Sequence, residues 1–210
     1  MTLDTQEMQR IVEAPARPHI GEMAPTWHIR EAVEGDAAAL RDYYERMATE
    51  ELNNTSLRYG IIPQQLDEYQ ALIRRYQQHS NSCLLVVIDT HPTTAEERII
   101  GQLKLTGSDT PMTSHVVEIS INVHGDYRGQ GVGTALMRHG ITWAWLHGGI
   151  YRMQLEVLLR NTGALRMYER LGFQVEGRRV AAYHLYDEAD KLHSDAYVMA
   201  LLLPRRGPRR

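Results

Sequence analysis

The chain has 210 residues, 43% hydrophobic and 23% charged, with a formal net charge of -3. That length supports one domain with a real core, and nothing in the near-neutral balance argues for nucleic acid, whose binding usually demands a strongly basic face. The single cysteine, Cys83, excludes an intrachain disulfide and suits a reducing cytosol.

The N-terminal stretch MTLDTQEMQR carries acids where a signal peptide has a basic end and an apolar run. Apolar runs such as Tyr197–Leu203 fall far short of the ~20 residues needed to span a bilayer. A soluble, cytoplasmic protein with no membrane partner is expected. Residues 1–26 contain Pro15, Pro18 and Pro25 and no sustained period, and read as a flexible or loosely docked extension. Residues 27–203 read as one continuous α/β domain, and 204–210 as a basic, disordered tail.

Within the domain, Trp27–Val33 reads as a short strand. Gly35 and Asp36 open a helix, with Asp36 placed to cap it. A second helix follows Pro63, where Ile62, Leu66, Tyr69, Ile73 and Tyr76 form one helical stripe. That stripe suits core packing, or the lining of a substrate groove. The strands Cys83–Asp89 and Ile99–Leu105 flank a polar connection, Thr90–Arg98, which predicts a hairpin. Cys83 lies in the apolar run SCLLVVID and reads as a buried, inert thiol. Val116–Val123 is the next strand, and Thr134–Leu146 is apolar on several sides, so that helix should be largely buried. Met153–Leu159 is a strand, Asn161–Leu171 a helix stopped by Gly172, and Phe173–Tyr183 and Ala196–Leu203 are the last two strands. The order is βααβββαβαββ. Hairpins give antiparallel pairs and helical crossovers give parallel ones, so the sheet should be mixed.

The most informative segment is ISINVHGDYRGQGVGTALM, residues 119–137. A β-rich run gives way to Gly129, Gly131 and Gly133 and then to an apolar helix. Amides of a first helical turn have no intrahelical partner, and the helix dipole adds about half a positive charge there. Glycines let an anion such as a phosphate approach that backbone, and Arg128 can add a charge-assisted contact. Gly125 and Tyr127 read as a turn residue and a packing aromatic. A P-loop is excluded because no Gly-Lys-Ser/Thr follows. A dinucleotide fingerprint is excluded because its last small residue would be Leu136 or Thr134, and because several strands precede the loop.

Arg128-x-x-Gly131-x-Gly133 resembles the acetyl-CoA signature of the GNAT superfamily of N-acetyltransferases. The flanking Val123-His-Gly-Asp-Tyr and Thr134-Ala-Leu-Met are similar to that family's strand end and helix start. The resemblance implies that the backbone of Gln130, Gly131, Val132, Gly133 and Thr134 holds the CoA pyrophosphate, with Arg128 and Gly129 in the same loop. It further implies that the backbone of Ile121 and Val123 pairs with the pantetheine arm as an added strand would. That needs a splayed strand edge, often made by a bulge.

Downstream, LEVLLRNTGALRMYERLGF resembles the family's second cofactor segment, with Asn161, Ala164 and Tyr168 at its matching positions. Asn161 is also a good N-cap. The resemblance places Tyr168 beside the sulfur of the leaving thiolate. A phenol with a pKa near 10 can stay protonated at neutral pH and donate there. A base is needed because an amine is largely protonated near pH 7. Glu156 precedes Asn161 by the spacing of the acceptor glutamate in ribosomal-protein alanine acetyltransferases, and Glu118 lies in the strand before the loop. Glu156 is slightly preferred, and His115 and His124 read as surface or strand-end residues. Proximity supplies up to ~7–11 kcal/mol for well-oriented reactants, so no metal is required.

The resemblance spans residues 27–203 by element order and 118–173 by motif, with affinities to the ribosomal-protein alanine, polyamine and amino-acid branches. It implies a single α+β domain: a mixed, mostly antiparallel twisted sheet of six or seven strands with four helices. It implies an acetyl-CoA-dependent N-acetyltransferase that acts by direct attack in a ternary complex; the alternative is a catalytically degenerate acyl-CoA sensor. The acceptor is a small-molecule amine or a protein N-terminus, and edge strands leave room for a homodimer. The acceptor site of this family is built from the first helices and the last hairpin, here Glu45–Tyr59 and Val180–Ser194, which carry Glu50, Glu51, Asp187, Glu188 and Asp190.

Overall fold

Apolar strands whose side chains point alternately to the two faces build a single seven-stranded sheet in the computed structural model. The structure describes residues 4–13, 26–49, 63, 65–91, 93–147, 149–186 and 191–204. In chain order these form α1 (Thr5–Glu13), β1 (Trp27–Glu31), α2 (Ala37–Thr49), α3 (Leu66–Gln78), β2 (Cys83–Thr90), β3 (Glu97–Gly107) and β4 (Val116–Val123). There follow α4 (Val132–Leu146), β5 (Arg152–Leu158), α5 (Thr162–Arg170), β6 (Gln174–Tyr186) and β7 (Lys191–Leu202). The strand order is β1-β2-β3-β4-β5-β7-β6. Every neighbouring pair is antiparallel except β4 and β5, which the α4 crossover makes parallel.

The two faces of the sheet bury separate clusters. Leu85, Val87, Val117, Ile119, Met153, Leu155 and Met199 pack with Leu136, Ile141 and Tyr168 of α4 and α5. Leu84, Val86, Ile88 and Ile99 pack on the other face with Leu40, Tyr43, Tyr44 and Met47 of α2 and Tyr69 and Ile73 of α3. One extra residue in β3 shifts the β2–β3 register between Val87 and Ile88, so the consecutive Ile100 and Gly101 both face the α4-side cluster while Ile99 faces the other.

The predicted hairpin and the mixed sheet are present. Several boundaries move for physical reasons. Helix α4 starts two residues before Thr134, because Gly131 at φ 85° and ψ -8° supplies a left-handed N-cap. Asp36 directly precedes α2, but its carboxylate reaches back to accept from Val33 N (2.8 Å) and pairs with both terminal nitrogens of Arg30. Tyr69 and Ile73 of the predicted stripe are buried, whereas Leu66 is exposed and Tyr76 bonds Thr106 (2.8 Å); Ile62 lies outside the described residues.

The N-terminal extension differs most from the sequence reading. Thr5–Glu13 forms α1 instead of a loose segment, and Met8 is fully buried in the α4-side cluster. A short amphipathic helix is legible only once a partner surface exists for Met8 and Ile11. Residues 205–210 lie outside the described residues. No described helix is long and apolar enough to cross a membrane.

Candidate active site

Three segments meet at the C-terminal end of β4, and a fourth lies on the polar face toward its start. The first is the strand edge itself. His115 O, just before β4, accepts from Tyr151 N and Arg152 N at the start of β5. Alternation then directs the peptide groups of the odd-numbered β4 residues toward β5. At the other end His124 N donates to Ile100 O on β3, which fixes the same parity. The parallel ladder, however, comprises only Val116–Glu118 against Arg152–Gln154. Ile121 and Val123 therefore face β5 across an opening with no strand partner. The predicted splay is present, but no bulge produces it: β3 and β4 stay in continuous register from Gly107↔Val117 to Gly101↔Val123.

The second segment is the glycine loop. Gly129 and Gly131 have φ of 75° and 85°, and a Cβ on either would meet nothing within 4 Å. These glycines are required for backbone conformation, and they leave the loop's outer side open. The first i→i−4 bond of α4 is Ala135 N to Gly131 O (3.0 Å). The amides of Val132, Gly133 and Thr134 precede it, and Gly131 provides no side-chain cap. Around the loop, Gln130 Nε2 donates to Asp126 O (2.6 Å) and Arg128 Nε to Val123 O (2.9 Å). His124 Nδ1 accepts from Asp126 N, and the Tyr127 hydroxyl donates to Asp89 Oδ2 (2.7 Å), tying the turn to the end of β2. Arg128 thus braces the strand end, a role its motif position did not announce.

The third segment is α5. Asn161 Oδ1 accepts from Ala164 N (3.2 Å), so it is the N-cap. A Cβ built on Gly133 would lie 3.6 Å from Met167 Sδ and 3.8 Å from Val123 Cγ2, so α5, the β4 end and the α4 start share one corner. Tyr168 is 6% exposed and tilts against Phe173 with ring centroids 5.7 Å apart. Burial holds its phenol well above the ordinary tyrosine range. No hydrogen-bond partner reaches its hydroxyl among the described residues, and that oxygen is not sealed from solvent as those of Tyr43 and Tyr69 are.

The fourth segment is the polar face of β4 and β5. Glu118 sits opposite Gln154, and Gln154 Nε2 donates to Glu118 Oε2 (2.8 Å). Glu156 lies two residues further along β5, where the ladder has ended. Its Oε1 is paired with Arg179 Nη1, and its Oε2 accepts from the Tyr183 hydroxyl (3.0 Å). An irregularity in β6 between Arg179 and Tyr183 turns both residues toward it. Ala181 there takes φ 51°, and its N–H donates to Asp195 Oδ1 (2.8 Å). Sequence reasoning missed Arg179, Tyr183 and Gln154, because each gains its place from long-range pairing. His115 is exposed, and Cys83 is 1% exposed with its thiol pushed up by burial, as suits an inert core residue. Residues 50–59, with Glu50 and Glu51, and Asp187, Glu188 and Asp190 lie outside the described residues.

Comparison with known proteins places this arrangement. Residues 37–173 match the Acetyltransferase (GNAT) family. The chain is 32% identical over 104 residues to the L-amino acid N-acetyltransferase AaaT of Escherichia coli, a match covering 49% of this chain and 60% of that protein. It therefore spans less than two thirds of that relative. The fold superposes on a GNAT-family acetyltransferase from Streptococcus pneumoniae with a TM-score of 0.74 and 26% identity, covering 85% of this chain and 99% of the other. It also superposes on yncA, a putative acetyltransferase from Salmonella typhimurium with its cofactor acetyl-CoA, with a TM-score of 0.69 and 20% identity over 88% and 98% of the two chains. The chain belongs to the GNAT family of acetyltransferases.

Proposed function

We propose that the chain transfers the acetyl group of acetyl-CoA to a primary amine by direct attack in a ternary complex. The observation that carries this reading is the junction of a β4 edge without a strand partner and an α4 N-terminus opened by Gly129 and Gly131. The two suit the parts of CoA in sequence: an amide-bearing arm along the edge, and a pyrophosphate on the helix amides. In this reading Ile121 and Val123 hold the arm. The loop Arg128, Gly129, Gln130, Gly131, Val132, Gly133 and Thr134 holds the pyrophosphate. Asn161 sets the start of α5 and its approach to the arm.

Bound acetyl-CoA supplies an activated thioester. Tyr168 keeps its proton, because burial disfavours the phenolate, and offers it to the departing sulfur. A carboxylate accepts the amine proton, directly or through water. Geometry shifts the preference between the two candidates. Both oxygens of Glu156 are engaged, whereas Glu118 is exposed and accepts only from Gln154 among the described residues. Glu118 is therefore the base in this reading, with Glu156 organising Arg179 and Tyr183.

Thiol release from acetyl-CoA with a panel of amines tests the proposal, with thermal shift by acetyl-CoA, ATP and NAD beside it. Amine-dependent thiol release is expected, with stabilisation by acetyl-CoA alone and loss of that stabilisation in Gly131→Asp. Stabilisation without thiol release would leave the sensor reading instead. Stabilisation by ATP or NAD would refute the assignment of the loop.

A further inference from the structure

Among the described residues, three arginines of β5 and β6 are paired with acids, whereas Lys104 of β3 is not. Arg152 pairs with Glu176, Arg178 with Asp195 and Arg179 with Glu156. Lys104, one of two lysines in the chain, forms no ion pair among the described residues. It lies on β3 opposite Leu84 of β2 and Ser120 of β4. Leu84 is buried beneath α2 and α3, whereas Ser120 is exposed in the row that contains Glu118. Lys104 thus stands at the margin between the helix-covered half of this face and its open half.

Its surroundings are aromatic and neutral. The ammonium lies 5.2 Å from the centroid of the Tyr44 ring, and the Tyr44 hydroxyl is itself held by Gln102. Tyr76 stands nearby, fixed to Thr106. Burial disfavours the charged form of this amine, and the ring quadrupole offsets only part of that cost. A half-buried cation without a counterion, beside the proposed base and one strand from the β4 edge, is equipped to receive an anion from the open side.

We propose that Lys104 binds the carboxylate of a free α-amino acid and so orients its amine toward Glu118 and the β4–β5 opening. The inference rests on the N-acetyltransferase reading above and names the acceptor class for that site. Only the carboxylate is recognised by Lys104, so the amine nitrogen stays available for attack. Acetyl transfer then forms the amide bond, breaks the thioester bond and passes the amine proton to the base.

The test measures thiol release from acetyl-CoA with an α-amino acid, its amide and its decarboxylated amine. In the wild-type chain kcat/KM for the acid should exceed both analogues by about tenfold or more. Lys104→Met should lower kcat/KM for the acid through KM, by about tenfold more than for the amide, and Lys104→Arg should recover part of that loss. Equal losses on acid and amide would overturn the proposal. So would a kcat loss that rising pH reverses, which would make Lys104 a proton acceptor. If Lys104→Met fails to fold, the wild-type preference for acid over amide and the Arg variant decide. Acetylation of polyamines but of no amino acid refutes the role of Lys104 alone. Absence of thiol release with every amine refutes the acetyltransferase reading and this inference together.

Discussion

Tyr168→Phe separates chemistry from stability more cleanly than any other substitution in this chain. The ring is almost fully buried against Phe173, and its hydroxyl has no hydrogen-bond partner among the described residues. Deleting that oxygen keeps the packing and breaks no hydrogen bond among the described residues, so folding stability should stay within about 1 kcal/mol. If the phenol is the acid, kcat should fall about 10²- to 10⁴-fold, or roughly 2.7–5.4 kcal/mol in activation free energy. The substitution should also change alkaline stability in a defined direction. The folded-state pKa is raised above the ordinary 10.0 by burial. Below pH 10 both folded and unfolded chains hold the proton; above it only the unfolded chain loses it. The stability contribution is thus present below pH 10 and falls as pH rises toward the folded value. The variant should lose that part of the alkaline decline. Stopped-assay thiol release and thermal melts from pH 7 to 11 measure both. A kcat within threefold of wild type across this range would refute the acid assignment, and a large loss of thermal stability at pH 7 would refute the account of the hydroxyl.

Three further substitutions probe the fold. Gly107→Ala would place a Cβ 2.4 Å from Asn81 O and 2.2 Å from its side chain, so thermal melts should show a loss of about 1–3 kcal/mol. Tyr44→Phe strands the fully buried Gln102 amide, whose side-chain partner among the described residues, at 2.8–3.0 Å, is that hydroxyl, and should cost about 1–3 kcal/mol in urea unfolding. Asp36→Asn addresses acid stability. Desolvation pushes this carboxyl up, but hydrogen bonds from Arg30 and Val33 N–H outweigh it and hold the pKa below its usual value. The stability it supplies is present above about pH 4 and lost as pH falls through the folded value. The variant should therefore melt earlier than wild type at pH 7, and the difference should shrink at pH 3.

What was legible in the sequence was what depends on neighbours along the chain. Short apolar runs between polar turns marked all seven strands, and three close glycines before an apolar run marked an anion-accepting helix start, because Gly129 and Gly131 answer a local backbone need. What was illegible depends on pairs of distant elements. The β4–β5 opening exists because a ladder stops at Glu118 and Gln154, and no single strand encodes where a ladder stops. Arg179 and Tyr183 reach Glu156 through an irregular β6 stretch whose Ala181 takes a positive φ, a conformation its side chain does not advertise. Lys104 in GQLKLTG reads as one polar beat of a strand, and only the sheet shows that no acid pairs with it among the described residues.

The two faces of the sheet give the proposed chemistry its economy. Tyr168 belongs to the cluster on the α4–α5 face, whereas Glu118 alternates onto the opposite face with Ser120. The β4 edge lies between them, at the boundary of both faces. An acid and a base so separated handle different protons: one leaves the amine on the polar face, the other reaches sulfur from the buried face. Neither group has to recharge the other within a turnover, so their contributions should be independent. The losses in kcat/KM of Glu118→Gln and Tyr168→Phe should multiply in the double variant, with a coupling below about 0.5 kcal/mol. Residues that act as one unit behave otherwise, since removing the second costs little once the first is gone. A double variant no slower than the worse single one would place both groups on one proton path and refute the two-face division.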